Sequence, residues 1–386
     1  MTLKAQLDEL LAGAVAAGDV PFVTAAVVTA DGATYTGAFG AVGGADVQPD
    51  SVAAIHSMTK AVTGIAAMQL VERGELHLDA PAGEVCPFLG DVRVLEGYDE
   101  SGAPRLRAPS QPVTLRRLLT HTSGFVYEMW NEVFADYLAR TDTPSLMGLQ
   151  KASLKVPLMF DPGARWEYGI GIDWVGMMVE AASGQTLGEY MREHIFEPLG
   201  MSDTAFTATA SMAARRLPLF HRDADGSLAG GEIPPAPEAP EFEMGGGGLL
   251  STVLDYGRLL SALLNGGRAG EATLLAPETI AEMGRNHIGD LRVTLLRSCA
   301  PALSNDAELF PGQPKTWGLT FQVSETACDT GRPAGTLMWA GLGNSYYWLD
   351  LKQGIAGAML TQVFPFADPR CVQTFYDLER MTYATL

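Results

Sequence analysis

Ser57-Met58-Thr59-Lys60 is the tetrad in this chain whose residue types and spacing suggest covalent chemistry. In a helix, residues three apart share a face, so the Ser57 hydroxyl and the Lys60 amine can come within hydrogen-bond reach. A serine on the first turn also presents its own backbone N–H to an incoming carbonyl oxygen, where the helix dipole favours an oxyanion. Lysine is a poor base at its ordinary pKa of about 10.4, but burial disfavours the charged form and would let Lys60 accept the serine proton. The plain alternative is an ordinary helix start, with Ser57 as N-cap and Lys60 in water. The surroundings favour chemistry: β-rich runs precede the tetrad, and the apolar helix after it would bury a lysine on its first turn. Other routes lack their residues. No serine has glycine at both −2 and +2, and neither H-E-x-x-H nor a Walker loop occurs. The six histidines (His56, His77, His121, His194, His221, His287) are scattered.

The elements that must position this pair are legible from periodicity. Leu3, Leu7, Leu10, Leu11 and Val15 predict an amphipathic helix over 3–17. Phe22–Thr29 and Ala33–Phe39 are β-rich runs joined at Asp31-Gly32, a hairpin signal, and Gly40 to Gly44 reads as a loop. Val62, Ile65, Ala66, Met68 and Leu70 mark a helix from Ser57 to Arg73 that is buried on most sides. From Asp79 to Gly289 helical patterns alternate with Pro/Gly-rich loops, among them a surface loop at 234–240. Strands resume at 336–340, 344–351 and 355–364, with a turn at Lys352-Gln-Gly354, and a helix over 370–383 follows. This order predicts an α+β fold: one antiparallel sheet built from both chain ends, flanked by the terminal helices, with a mostly helical region inserted. The expected division is 1–80 with 315–386 for the sheet domain and 81–314 for the helical one.

Composition narrows the partners. The 386 residues carry 45 acids against 26 Lys and Arg, a net charge of −19, which disfavours nucleic acid and anionic membranes. Charged residues are 18% of the chain, below the usual share of roughly 25%, and 47% are apolar, so a large core can form. Four dispersed cysteines (Cys86, Cys299, Cys328, Cys371) form no metal or redox pattern. The acidic residues near Met1 do not suit a signal peptide, and no run of about 18 apolar residues suggests a membrane span. The expectation is a cytoplasmic protein acting on a neutral or cationic small molecule.

Four segments then occur in order: Ser57-Met-Thr-Lys60, Leu118-Leu-Thr-His-Thr-Ser-Gly-Phe125, Trp166-Glu-Tyr168 and Gly245-Gly-Gly-Gly-Leu-Leu-Ser-Thr252. With them, from about Ala12 to Phe375, the chain resembles the serine β-lactamase and penicillin-binding-protein superfamily in its class C-like branch, and more narrowly the family VIII carboxylesterases. The resemblance implies Ser57 as nucleophile, Lys60 and Tyr168 as acid and base, and the backbone N–H groups of Ser57 and Leu342 as oxyanion hole. It implies no metal and no organic cofactor. His121 and Asp255-Tyr256 also belong to the pattern, with structural hydrogen-bonding and helix-capping roles expected.

Two departures bear on substrate. Tyr168-Gly-Ile170 carries isoleucine where β-lactamases have an amide-binding asparagine. The strand beside the nucleophile reads Leu337-Met-Trp339-Ala-Gly341-Leu342, where β-lactamases place the Lys-Thr-Gly that meets a drug carboxylate. Lys315-Thr-Trp-Gly lies upstream of the wrong strand and is read as a surface residue. Losing a cation and gaining an aromatic wall favours neutral, hydrophobic esters, with short acyl chains implied by the resemblance. Phe125, Tyr127, Trp130, Ile170, Trp339, Gly341 and Phe366 are the candidate pocket, and loops near 125–135 and 220–245 should set acyl length. The rival activities for the same serine are β-lactam hydrolysis, D-amino-acid peptidase action and transesterification.

Overall fold

The computed structural model describes residues 2–231, 233, 235 and 239–385. The proline-rich 234–240 run therefore lies largely outside the described residues.

Thr2 caps helix α1 (Leu3–Ala16), its hydroxyl accepting from the Ala5 N–H, and Leu7, Leu11 and Ala14 are the buried face. The chain turns back through β1 (Phe22–Thr29) and β2 (Gly32–Val42) into β3 (Ala45–Asp46). Helix α2 (Thr59–Glu72) follows a single 3-10 turn at His56–Met58 that carries Ser57. Later elements are α3 (Gly171–Ser183), α4 (Val253–Leu264), β4 (Lys315–Trp317), β5 (Gln322–Ser324), β6 (Leu337–Gly341), β7 (Ser345–Asp350), β8 (Ile355–Leu360) and α5 (Pro369–Tyr383). The strands form one antiparallel sheet in the order β4-β5-β6-β7-β8-β1-β2-β3, so the two chain ends meet at β8 and β1.

Both faces of the sheet are covered, which is why β1, β7 and β8 are almost wholly buried instead of alternating. Along β7, Tyr346 and Trp348 point to Phe375 of α5, while Tyr347 between them points to Tyr256 of α4. On β1, Ala26 and Val28 lie beneath Gly257 of α4. Helix α4 thus belongs to the sheet layer although it lies within 81–314. Helix α2 is buried from Thr59 through Leu70, as expected for a helix that is apolar all round.

Two local expectations change. Gly40 to Gly44 is not simply a loop: β2 runs to Val42 and pairs with β3 around a Gly43-Gly44 turn. Gly40 has φ +97°, and a Cβ there would sit 2.7 Å from the Phe22 Cα, so this glycine serves close strand approach. Lys315 is not a surface residue. It opens β4 in the interior, 2% exposed, with its ammonium 2.7 Å from Glu308 and 2.9 Å from the Phe310 carbonyl. β4 and β5 are three residues each, too short for periodicity to reveal, so the burial of Lys315 was hidden with them.

Trp348 stands opposite Gly357 in the β7–β8 ladder, and a Cβ on Gly357 would come within 2.1 Å of its ring. Trp348 is fully buried and has nowhere to swing. Gly357→Ala should cost about 1–3 kcal/mol, read as a lower denaturation midpoint in urea; an unchanged midpoint would refute this packing.

Candidate active site

His56 precedes Ser57 with φ +44°, a left-handed conformation unusual for a residue with a side chain. The turn it makes sets Ser57 just ahead of α2 instead of at its N-cap, which is Met58 with no capping side chain. Tyr256, buried under this turn, donates its phenol to the Met58 carbonyl at 3.2 Å.

Lys60 lies one residue inside α2 with no exposed surface. Its amine donates to Ser57 Oγ at 3.1 Å, to the Tyr127 hydroxyl at 3.1 Å and to the Gly246 carbonyl at 2.6 Å. It also lies 4.7 Å from the centre of the Tyr168 ring. Burial pushes its pKa down to about 7, with the Asp173 carboxylate pulling the other way. Asp173 is fully buried on α3 and receives the Gly246 N–H at 2.8 Å, so the backbone of one residue joins carboxylate to lysine. Burial raises the Asp173 pKa, and Lys60 opposes the rise. Gly246 admits no side chain: a Cβ would lie 2.6 Å from an Asp173 carboxylate oxygen.

Tyr168 is held from both sides by His121. The His121 carbonyl accepts the Glu167 N–H at 2.9 Å, and its Nδ1 accepts the Gly169 N–H at 3.3 Å. That second bond needs a neutral imidazole, and burial pushes the His121 pKa well down. This agrees with the structural role expected for His121. The Trp339 indole N–H donates to the Tyr168 hydroxyl at 2.9 Å. Burial raises the phenol's pKa, while hydrogen bonds with Ser57 and Trp339 oppose the rise. Ser57, Lys60, Tyr127, Tyr168 and Trp339 therefore form one connected network.

The end of β6 passes tightly over the segment leading to Ser57: a Cβ on Gly341 would lie 2.3 Å from the Ile55 carbonyl oxygen. Leu342 follows on the turn into β7, and its N–H finds no acceptor among the described residues. Trp130 packs 5.5 Å from Tyr168 and 6.4 Å from Phe366, and its indole N–H donates to Ser304. Phe125 turns inward onto Trp174 at 6.3 Å, and Ile170 is buried at the start of α3.

The Beta-lactamase family matches residues 7–381. The chain belongs to that family. It is 31% identical over 348 residues to the monacolin J acid methylbutanoyltransferase of Aspergillus terreus, covering 88% of this chain and 83% of the relative. It is 32% identical over 320 residues to the lovastatin esterase of Penicillium rubens, covering 80% and 79%. Unliganded simvastatin synthase from Aspergillus terreus superposes with a TM-score of 0.85 at 29% identity, covering 99% of this chain and 98% of that one. The fold is β-lactamase-like, and the protein is an enzyme of the hydrolase and acyltransferase kind.

Tyr127, expected in the pocket wall, also brings its hydroxyl to Lys60, a contact the sequence did not suggest. Sequence reasoning gave neither Asp173 nor the Gly246 carbonyl a part beside Lys60. Their segments, Asp173-Trp-Val-Gly and the glycine run at 245–248, stand out in the sequence, but only the fold shows that they meet. Asp255 does not cap α4, which Thr252 does; its carboxylate instead takes the Asp203 N–H and the Thr204 hydroxyl.

A neutral Lys60 is needed to take a proton, and its neutral fraction grows as pH rises through its pKa. The rate of Ser57 labelling by a fluorophosphonate should therefore rise with pH around 7. Asp173 holds that pKa up, so Asp173→Asn should move the midpoint to lower pH; a midpoint that stays or climbs would contradict this electrostatic coupling.

Proposed function

We propose that the protein is a serine esterase that forms an acyl-enzyme on Ser57 from neutral, hydrophobic, short-acyl esters. The observation that carries this reading is the Ser57 hydroxyl 3.1 Å from a buried lysine amine, beside a tyrosine hydroxyl that accepts from Trp339. The ester carbonyl oxygen sits between the N–H groups of Ser57 and Leu342. As Ser57 attacks, Lys60 takes its proton, and Tyr168 passes a proton to the departing alcohol. Water activated by the same Lys60 and Tyr168 then releases the acid. Trp339 serves twice in this scheme, as apolar wall and as the donor that steadies charge growing on the Tyr168 oxygen.

The neutral-substrate preference rests on the charges near that wall. Trp339 is uncharged, and Lys315 is already paired with Glu308, so neither offers a free cation to a carboxylate. Ile170 cannot hydrogen-bond a substrate amide. Both features disfavour β-lactams and peptides.

A second reading is acyl transfer to an alcohol in place of water. It is favoured by the 31% identity to a protein named as a methylbutanoyltransferase. The same acyl-enzyme serves both outcomes, and an alcohol in the site would take the place of the deacylating water.

With p-nitrophenyl butyrate, wild type should turn over and give an acyl adduct by intact mass under rapid quench. Ser57→Ala should lose at least about a thousandfold in kcat/KM. A chromogenic cephalosporin should be cleaved far more slowly than the ester. Retained esterase activity in the alanine variant would remove Ser57 from the mechanism, and faster cephalosporin cleavage would favour the lactamase alternative.

A further inference from the structure

The two N–H groups proposed to hold the ester oxygen come from segments far apart in the chain. Ser57 lies just after the two-residue strand Ala53–Ala54, and Leu342 opens the turn between β6 and β7. A third segment, 361–364, follows β8 and is bonded to both carriers. The Thr361 hydroxyl donates to the Gly343 carbonyl at 3.0 Å, and the Val363 N–H donates to the same carbonyl at 3.1 Å. Gln362, between them, reaches the other carrier. Its Oε1 accepts the Ala54 N–H at 3.1 Å, and its Nε2 donates to the Ala54 carbonyl at 3.0 Å.

A carboxamide carries donor and acceptor in one rigid plane, so it can bond both main-chain groups of one residue at one separation. Gln362 thus pairs with Ala54 as a neighbouring strand would, and at 3% exposure the pairing is kept from water. Ala54 needs it: its own strand pairs only two residues with Leu250–Ser251, too few to hold a register firmly. The space between the carriers is filled to contact. A Cβ on Gly343 would lie 3.0 Å from Gln362 Nε2 and 3.3 Å from the His56 ring. Asn344 ties down the far end of the turn, donating to the Val363 and Pro365 carbonyls, both at 2.8 Å. A shift at the Gln362–Ala54 pair therefore moves the Ser57 segment against the turn, because no slack absorbs it.

We propose that Gln362 is a positioning residue that sets the separation of the Ser57 and Leu342 N–H groups, and with it the strength of the oxyanion hole. The inference rests on the ester reading, since an oxyanion forms there only when Ser57 attacks a carbonyl. Gln362 acts through backbone: Ala54 lies three residues before Ser57, and Gly343 directly follows Leu342. Such a residue matters to the tetrahedral oxygen and little to the bound ester.

The test is Gln362→Met, which keeps the side chain's length and removes both bonds to Ala54. Rates with p-nitrophenyl butyrate are taken per active site, counted from the endpoint of fluorophosphonate labelling. On that basis kcat should fall about ten- to a hundredfold while KM stays within about threefold. Affinity for propylboronic acid, whose tetrahedral adduct on Ser57 puts an oxygen in the same hole, should fall by the same factor as kcat/KM. A purely structural glutamine would instead lower the number of labelled sites and leave kcat per site and boronate affinity unchanged. That result would overturn the proposal, as would a rise in KM alone. If Gln362→Met does not fold, Gly343→Ala decides: its methyl presses on Gln362 and His56 without deleting a hydrogen bond, and it must give the same paired losses. A wild type that binds the boronate but turns over no ester breaks the ester reading alone, and the variants' boronate affinities then decide the role of Gln362. A wild type that does neither overturns both.

Discussion

An amine buried without exposed surface at the start of an apolar helix governs the arrangement of this protein. Taking an ammonium out of water costs several kcal/mol, and the fold meets that cost with three acceptors around the Lys60 nitrogen. One is the Ser57 hydroxyl, one the Tyr127 phenol and one a main-chain carbonyl. The carbonyl belongs to Gly246, whose own N–H is tied to Asp173, so the lysine feels a carboxylate without forming a direct ion pair. A direct pair would hold the amine charged. A bridged one keeps it poised, and the lack of a side chain at residue 246 makes the bridge fit.

The rest of the architecture brings four distant segments to that amine. The sheet is closed between β1 and β8, so β6 and its Trp339 lie over the turn that carries Ser57. Helix α4 supports the same turn from below through Tyr256 and covers the second face of the sheet. The inserted region contributes Tyr127 and Tyr168, and His121 fixes the latter through main-chain bonds on either side. Thr320, at the sheet edge, donates to the Lys60 carbonyl at 2.8 Å and packs against Gly64. Every contact is short, and several depend on glycines at close approaches.

One layer further out stand Trp339 and Lys315. The Trp339 indole N–H donates to the Tyr168 hydroxyl, so one side chain both lines the candidate site and holds the phenol. Lys315 shows how a charge near an active site can be silenced: it is inside, but Glu308 and the Phe310 carbonyl already occupy it.

Much of this was legible in the residues alone. Helical periodicity located α1, and continuous apolar or β-rich runs located β1, α2, β7 and β8, because burial on one face leaves a period and burial on all sides leaves an unbroken run. The Ser57–Lys60 spacing is local geometry on one helical turn, and the apolar residues after it already imply a buried amine. Ordered motifs carried Tyr168 and Trp339 to the same site by resemblance. The sequence could not say that Tyr127 bonds Lys60, that the Gly246 backbone joins it to Asp173, or that Lys315 is interior. Those facts join residues between 67 and 186 positions apart, or rest on three-residue strands, and neither leaves a periodic trace. Local spacing determined the reactive pair; only the packing of distant segments decided what surrounds it, because solvation and hydrogen-bond partners are properties of the closed interior.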